Sequence, residues 1–191
     1  KMTQTKSYAK SQILMQWLMA VAVFGLFGVG FWMVGLTYYS EWYRIAPHWH
    51  QSVGFMLALA WVARIVLLRV HGKPAPLESH KPAEIRAAHF THALLYLLML
   101  CLFISGYLIS TADGRAIAIF NWIELPGLGE LFAEQADIAG TVHQYAAYGL
   151  IALVVIHAAG ALKHHLIDKD DTLNRILGRT KPQPSNYDQE Q

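Results

Sequence analysis

Charged side chains are scarce in this sequence. Asp, Glu, Lys and Arg make up only 15% of its 191 residues, whereas the hydrophobic types make up 54%. Soluble domains carry about 25% charged residues, because their surfaces face water. The deficit excludes an ordinary water-soluble globule and favours a protein that exposes much of its surface to lipid.

Cysteine is almost absent, and no basic patch is interleaved with aromatic residues. The single cysteine, Cys101, lies in an apolar stretch, so the sequence has neither a disulfide framework nor a CxxC metal or redox motif. Without a basic patch, nucleic acid is a poor candidate partner. The net charge of +2 comes from one rim of the protein, where lysines commonly meet anionic membrane lipid.

Long apolar stretches are what the sequence has in abundance. Four of them cover residues 13–37, 50–70, 88–110 and 141–162, and each is close to the roughly 20 residues that a helix needs to cross a bilayer. The first lacks a clear signal-peptidase site, so we expect a retained helix. Residues 1–180 are therefore predicted to form one all-α domain, an integral membrane four-helix bundle, and residues 181–191 a disordered cytoplasmic tail.

Positive charge is distributed unevenly among the connections. Of the 15 Lys and Arg residues, all except Arg44 and Arg115 lie before the first stretch, around the second connection or after the fourth stretch. The positive-inside rule then places both termini in the cytoplasm. The connection over residues 111–140 faces outward and is acidic.

Histidine is unusually frequent for so apolar a chain, with ten residues, and an ionisable group inside a membrane span is expensive enough to suggest function. His143 and His157 are 14 residues apart, which on a helix separates them by about 40° and about 21 Å. That spacing suits two stacked haems, each with one imidazole as axial ligand. His50 opens the second stretch at the level of His143, so we expect this pair to hold an outer haem.

The inner haem would use His157 together with Gln16, His89 or His92, and spacing alone does not choose among them. Any one of these histidines, taken alone, is as well explained as a hydrogen-bonded core residue, but the set favours haem. A zinc site is less suitable, because zinc needs its ligands within one coordination sphere, whereas these residues are spread across the membrane.

With these residues in view, the sequence resembles the prokaryotic cytochrome b561 family of four-helix, di-haem membrane cytochromes. The resemblance covers nearly the whole chain, so residues 1–180 would form a cytochrome b561-like transmembrane domain. It rests on five segments and the 14-residue histidine spacing: Met15-Gln16-Trp17-Leu18, the turn from His50 to Gly54, His92-Ala93-Leu94-Leu95-Tyr96-Leu97, Gly106-Tyr107-Leu108-Ile109-Ser110-Thr111, and the exit His157-Ala158-Ala159-Gly160-Ala161-Leu162-Lys163-His164-His165 followed by Lys169-Asp170-Asp171-Thr172-Leu173.

The resemblance implies a multi-pass protein of the bacterial inner membrane with haem b bound at His50, His143 and His157. The family's fourth ligand is a first-helix histidine, and here that position is Gln16, whose amide is a poor iron ligand. Either His92 or His89 replaces it, or Met15 supplies a thioether, or the inner haem is five-coordinate, weakly held or absent. We favour a five-coordinate or loosely held haem, because a ligand from another helix would require backbone rearrangement.

The resemblance further implies transfer of single electrons between an outer donor, superoxide in some relatives, and membrane quinone. His164 is a candidate contact for the quinone headgroup, although it is equally well explained as part of the positive rim. Arg115 is a candidate guide for a small anion, but the acidic loop opposes efficient superoxide steering. Two alternatives remain: a haem-binding membrane anchor for a soluble redox enzyme, and a haem-free four-helix transporter or scaffold.

Overall fold

Four long helices form the body of the protein in a computed structural model that describes residues 8–73, 75–77 and 80–179. They are α1 (Lys10–Met33), α2 (Trp42–His71), α3 (Pro82–Thr111) and α4 (Gln135–Leu166). A short helix, α5 (Thr172–Ile176), follows α4. All four long helices are long and apolar enough to cross a membrane, which confirms the prediction of an integral membrane four-helix bundle. The predicted tail over residues 181–191 lies outside the described residues.

The helix boundaries differ from the apolar stretches because helix geometry continues beyond the hydrocarbon zone. α2 begins at Trp42, so His50 lies about two turns inside the helix, and the expectation that it opens the helix was wrong. α2 ends at His71 and is followed by Gly72, whose positive φ of 73° suits a residue without a Cβ. α3 begins with Pro82, and the Glu84 carboxylate accepts a hydrogen bond from the Lys81 N–H at 3.0 Å.

The acidic connection between α3 and α4 contains an antiparallel hairpin that the sequence analysis did not foresee. Its strands are β1 (Ile117–Ile119) and β2 (Ile123–Leu125), and Ile117 pairs with Leu125. The Phe120 N–H donates a hydrogen bond to Ser52 Oγ of α2 at 3.0 Å, and Ser52 is completely buried. The hairpin is therefore fixed to the bundle. We call this end of the bundle the hairpin end, and the end where α1 begins and α4 ends the terminal end.

Helix contacts are concentrated within two pairs. α1 packs on α2 and α3 packs on α4, whereas α2 touches α3, and α1 touches α4, at few places. The two pairs meet at mid-bundle, where Leu57 of α2, Met99 of α3 and Leu150 of α4 form the buried apolar core. Outward-facing apolar side chains remain exposed, for example Val21 at 70% and Val70 at 72%, which suits a surface in contact with lipid.

Candidate functional site

Two histidines face each other across the hairpin end of the bundle. His50 of α2 and His143 of α4 have ring centroids 6.2 Å apart and planes inclined by 67°. Metal–imidazole bonds of about 2.0 to 2.1 Å, as in zinc sites, put two rings on opposite sides of one ion about 6 Å apart. The structure thus brings together the predicted outer pair at the separation that a shared metal atom requires.

Each of these imidazoles lies against a glycine of a neighbouring helix. A Cβ atom at Gly30 of α1 would lie 3.2 Å from Cε1 of His50, and one at Gly106 of α3 would lie 3.2 Å from Cε1 of His143. Side chains at either position would therefore crowd the rings. The sequence analysis missed these two residues as part of the site, although Gly106 stood in one of the segments that carry the resemblance.

The hydrogen bonds around His143 determine which of its ring nitrogens is protonated. The Ser105 hydroxyl donates to the Cys101 carbonyl at 2.7 Å, and its oxygen lies 3.0 Å from Nδ1 of His143. Because the hydroxyl proton is already used, Ser105 accepts from Nδ1–H, which leaves Nε2 as the unprotonated nitrogen that can bind a metal. For His50, no described residue forms a hydrogen bond with the buried Nδ1 atom.

A second histidine pair lies toward the terminal end. His92 of α3 and His157 of α4 have ring centroids 5.0 Å apart and planes inclined by 67°. The argument that His92 would need a backbone rearrangement to reach His157 was therefore wrong, because the two rings are already neighbours. His89, the other candidate from α3, is exposed.

Gln16 forms a hydrogen bond with Arg64 of α2. Its Oε1 accepts a hydrogen bond from Nη2 of Arg64 at 3.1 Å. Arg64 also donates from Nη1 to the Gln12 carbonyl at 3.1 Å and from Nε to the Tyr96 hydroxyl at 3.0 Å. This guanidinium joins α1, α2 and α3, and all of these acceptors are neutral. The position at which the resemblance expected an iron ligand is thus part of a hydrogen-bond network around a half-buried cation.

His164 lies at the last turn of α4 among acidic residues. Its Nδ1 is 2.7 Å from Oδ2 of Asp168 and 3.3 Å from Oδ2 of Asp170, and its ring lies 4.7 Å from that of His80. Burial raises the pKa of the Asp170 carboxyl, but hydrogen bonds from Thr172 and His80 outweigh it, so the pKa lies below its ordinary value. One ring nitrogen of His164 therefore faces two carboxylates.

Arg115, the candidate anion guide of the outer connection, is paired with a carboxylate. Its Nε donates to Oδ2 of Asp113 at 2.6 Å, and both side chains are exposed. This hydrogen bond lowers the pKa of Asp113 and raises that of Arg115. The pair reduces the positive charge that Arg115 could present to an approaching anion.

Comparison with known proteins places this arrangement in a family. The sequence model of prokaryotic cytochrome b561 matches residues 7–179. The chain is 46% identical over 164 residues to cytochrome b561 homolog 2 of Escherichia coli (strain K12), covering 86% of this chain and 87% of that protein. It is 24% identical over 178 residues to cytochrome b561 homolog 1 of the same organism, covering 91% and 98% respectively.

A third relative is named for an enzymatic activity. The chain is 30% identical over 150 residues to the probable superoxide oxidase CybB of Yersinia pestis, covering 75% of this chain and 79% of that protein. Family membership implies b-type haem, so the haem-free alternative is no longer supported. With four membrane-spanning helices, a facing histidine pair and a match over residues 7–179, this chain belongs to the prokaryotic cytochrome b561 family of membrane electron-transfer proteins.

Proposed function

We propose that this protein passes single electrons through the membrane, from a donor at the hairpin end to a quinone in the bilayer. The observation that carries the proposal is the placement of two histidine pairs, His50 with His143 and His92 with His157, toward opposite ends of one bundle. Both pairs include a residue of α4, and the two α4 residues lie about 21 Å apart along the helix axis by its rise per residue.

The residues at the hairpin end fit a b-type haem. His50 and His143 supply the two imidazoles, Ser105 holds His143 in the tautomer whose Nε2 is free, and Gly30 and Gly106 leave the rings uncrowded. A haem bound there supplies one-electron exchange between Fe²⁺ and Fe³⁺. The two glycines and the serine orient the imidazoles, as supporting residues do around protein-bound metals.

The terminal end supports a second haem held by His157 and His92 in place of the first-helix position. The two ring centroids are 5.0 Å apart, closer than the about 6 Å of a shared metal atom, so a haem held by both would require a χ1 change in one of the two histidines. Gln16 binds Arg64 instead. The Arg64 guanidinium, with neutral partners only in the described network, is suited to hold a carboxylate of a bound group.

Superoxide is the donor suggested by the name of the Yersinia pestis relative. Two superoxide anions would each lose one electron and leave as O₂, and the two electrons with two protons would reduce one quinone to a quinol. The hairpin end is not built for fast anion capture, because Arg115 is paired with Asp113. We therefore expect a superoxide reaction that salt changes little.

The quinone would approach from the bilayer toward the terminal end. His164 has one ring nitrogen directed at Asp168 and Asp170, so only its Nε2 remains for a quinone oxygen. A role in passing a proton to the reduced quinone suits an imidazole better than a purely structural one.

A stopped-flow experiment on the purified haem-loaded protein tests the proposal. Potassium superoxide should reduce the haem, superoxide dismutase should abolish that reduction, and a water-soluble ubiquinone analogue should reoxidise the protein. Failure of quinone to reoxidise the reduced protein would refute the acceptor. Reduction only by a co-purifying enzyme would instead support the membrane-anchor alternative.

A further inference from the structure

We propose that His80, His164 and Asp170 form a binding site for a divalent transition-metal cation, separate from the haem sites and testable with Zn²⁺. The three residues come from different segments. His80 precedes α3, His164 lies in the last turn of α4, and Asp170 lies between α4 and α5. The inference does not depend on the proposed electron donor or acceptor.

The donor atoms are already close to the arrangement of a coordination shell. Nε2 of His80 is 3.1 Å from Oδ2 of Asp170, Nδ1 of His164 is 3.3 Å from the same oxygen, and all three atoms lie within 4.8 Å of one another. Tetrahedral bonds of about 2.0 to 2.2 Å place neighbouring ligand atoms roughly 3.3 to 3.6 Å apart. Small ring rotations would therefore bring the three atoms onto one ion.

The hydrogen-bond geometry around His164 distinguishes this cluster from an ordinary ion pair. Its buried Nδ1 faces the carboxylates of Asp168 and Asp170, yet neither contact has hydrogen-bond geometry, and no described residue forms a hydrogen bond with this atom. A metal ion bound to this nitrogen would give it the partner that the described residues do not supply. Asp168, whose Oδ2 lies 2.7 Å from the same nitrogen, is paired with Lys163 at 2.8 Å and is not counted among the three proposed ligands.

Burial and neighbouring hydrogen bonds hold the ligands in place. The side chains of His80, His164 and Asp170 are only 18%, 17% and 7% exposed. Thr172 supports Asp170, because its N–H donates to Oδ1 at 2.9 Å while Oδ2 faces the two imidazoles. Such outer contacts orient metal ligands in proteins.

Charge balance also favours a cation. Lys163 contacts the carboxylates of Glu84 and Asp168 at 3.1 and 2.8 Å, while Asp170 contacts only the two imidazoles and Thr172 among its described side-chain partners. Lys163 thus pairs with two of the three carboxylates, and the third, Asp170, faces the imidazoles. A divalent cation between the two imidazoles and Asp170 would balance the carboxylate charge that Lys163 does not contact.

The test is zinc binding by the haem-loaded protein after treatment with a chelator. Equilibrium dialysis against micromolar Zn²⁺, followed by elemental analysis, should give one zinc per chain. We expect His80→Ala and Asp170→Asn to weaken binding at least tenfold. His165→Ala is the matched control, because it removes the adjacent imidazole of the same helix turn, and it should bind zinc like the parent. A parent protein that retains no zinc, or equal binding by all variants, would overturn the proposal.

Zinc-edge X-ray absorption of the unmodified protein tests the same ligands without a variant, so its result does not depend on whether the variants fold. The expected spectrum shows nitrogen and oxygen neighbours at about 2.0 to 2.1 Å with the scattering of two imidazoles. A spectrum without imidazole scattering would refute the site even if zinc is retained. Haem content, measured on the same samples, should be the same in all variants, so that a failure here is distinguishable from failure of the electron-transfer proposal.

Discussion

The two histidine pairs differ in what surrounds them. At the hairpin end, each imidazole lies against a glycine, and His143 also has a buried serine that selects its tautomer. Toward the terminal end, His92 and His157 lie against each other, and the hydrogen bonds nearby serve Arg64 and Gln16 rather than the imidazoles. At the hairpin end the neighbouring residues thus contact the imidazoles, whereas toward the terminal end the neighbouring hydrogen bonds go to the guanidinium of Arg64.

This difference shows that a histidine is only part of a haem site. The small residue that leaves room for the ring and the acceptor that fixes its proton are equally specific, and neither is charged or costly to bury. At the terminal end, replacement of the expected histidine by Gln16 did not leave a gap. It supplied an amide oxygen that accepts a hydrogen bond from the guanidinium of Arg64, a group that is expensive to bury without partners.

The largest effect should follow removal of an imidazole at the hairpin end. We expect His143→Ala to lower the haem content by one haem per chain, because no described side chain beside His50 replaces the lost ligand. A pyridine haemochrome assay on purified protein measures this. His48→Ala, near the same end but outside the pair, should retain full content. Unchanged haem content in His143→Ala would show that His50 and His143 do not share a haem.

The next effect separates the two candidates for the partner of His157. If His92 is the second ligand, His92→Ala should convert the terminal haem from a low-spin to a high-spin form or release it, whereas Gln16→Ala should leave it low-spin. Electron paramagnetic resonance of the oxidised protein distinguishes these states. A high-spin signal already present in the unmodified protein would support the five-coordinate haem that the sequence analysis favoured.

Much of this architecture could be predicted from sequence, because it depends on local patterns. Apolar length gave the four spans, and the 14-residue spacing placed His143 and His157 on one face of a helix. The hairpin and the contacts of Gly30 and Gly106 could not be predicted in this way. They depend on which helix lies opposite, and three-residue strands carry too little pattern to be recognised.

The same limit explains why the proximity of His92 to His157 was not predicted. The position of His92 on α3 says nothing about α4 until the packing of those two helices is known. The cluster of His80, His164 and Asp170 escaped notice for the same reason, since His80 is 90 residues from Asp170 in sequence. Contacts between distant segments are what a single sequence, without relatives to compare, conveys least.

The smallest effect tests whether space beside an imidazole matters as much as the comparison suggests. Gly106→Ala would place a Cβ 3.2 Å from Cε1 of His143, so the ring must tilt by a few tenths of an ångström. Such tilting costs roughly 0.5 to 1.5 kcal/mol, which corresponds to about a two- to tenfold loss of haem affinity.

Gly140→Ala on α4 is the matched control, because a Cβ there meets nothing within 4 Å. It gains helix propensity and should bind haem like the parent. Competition with apo-myoglobin measures the affinities, and equal losses in both variants would mean that Gly106 serves helix packing alone.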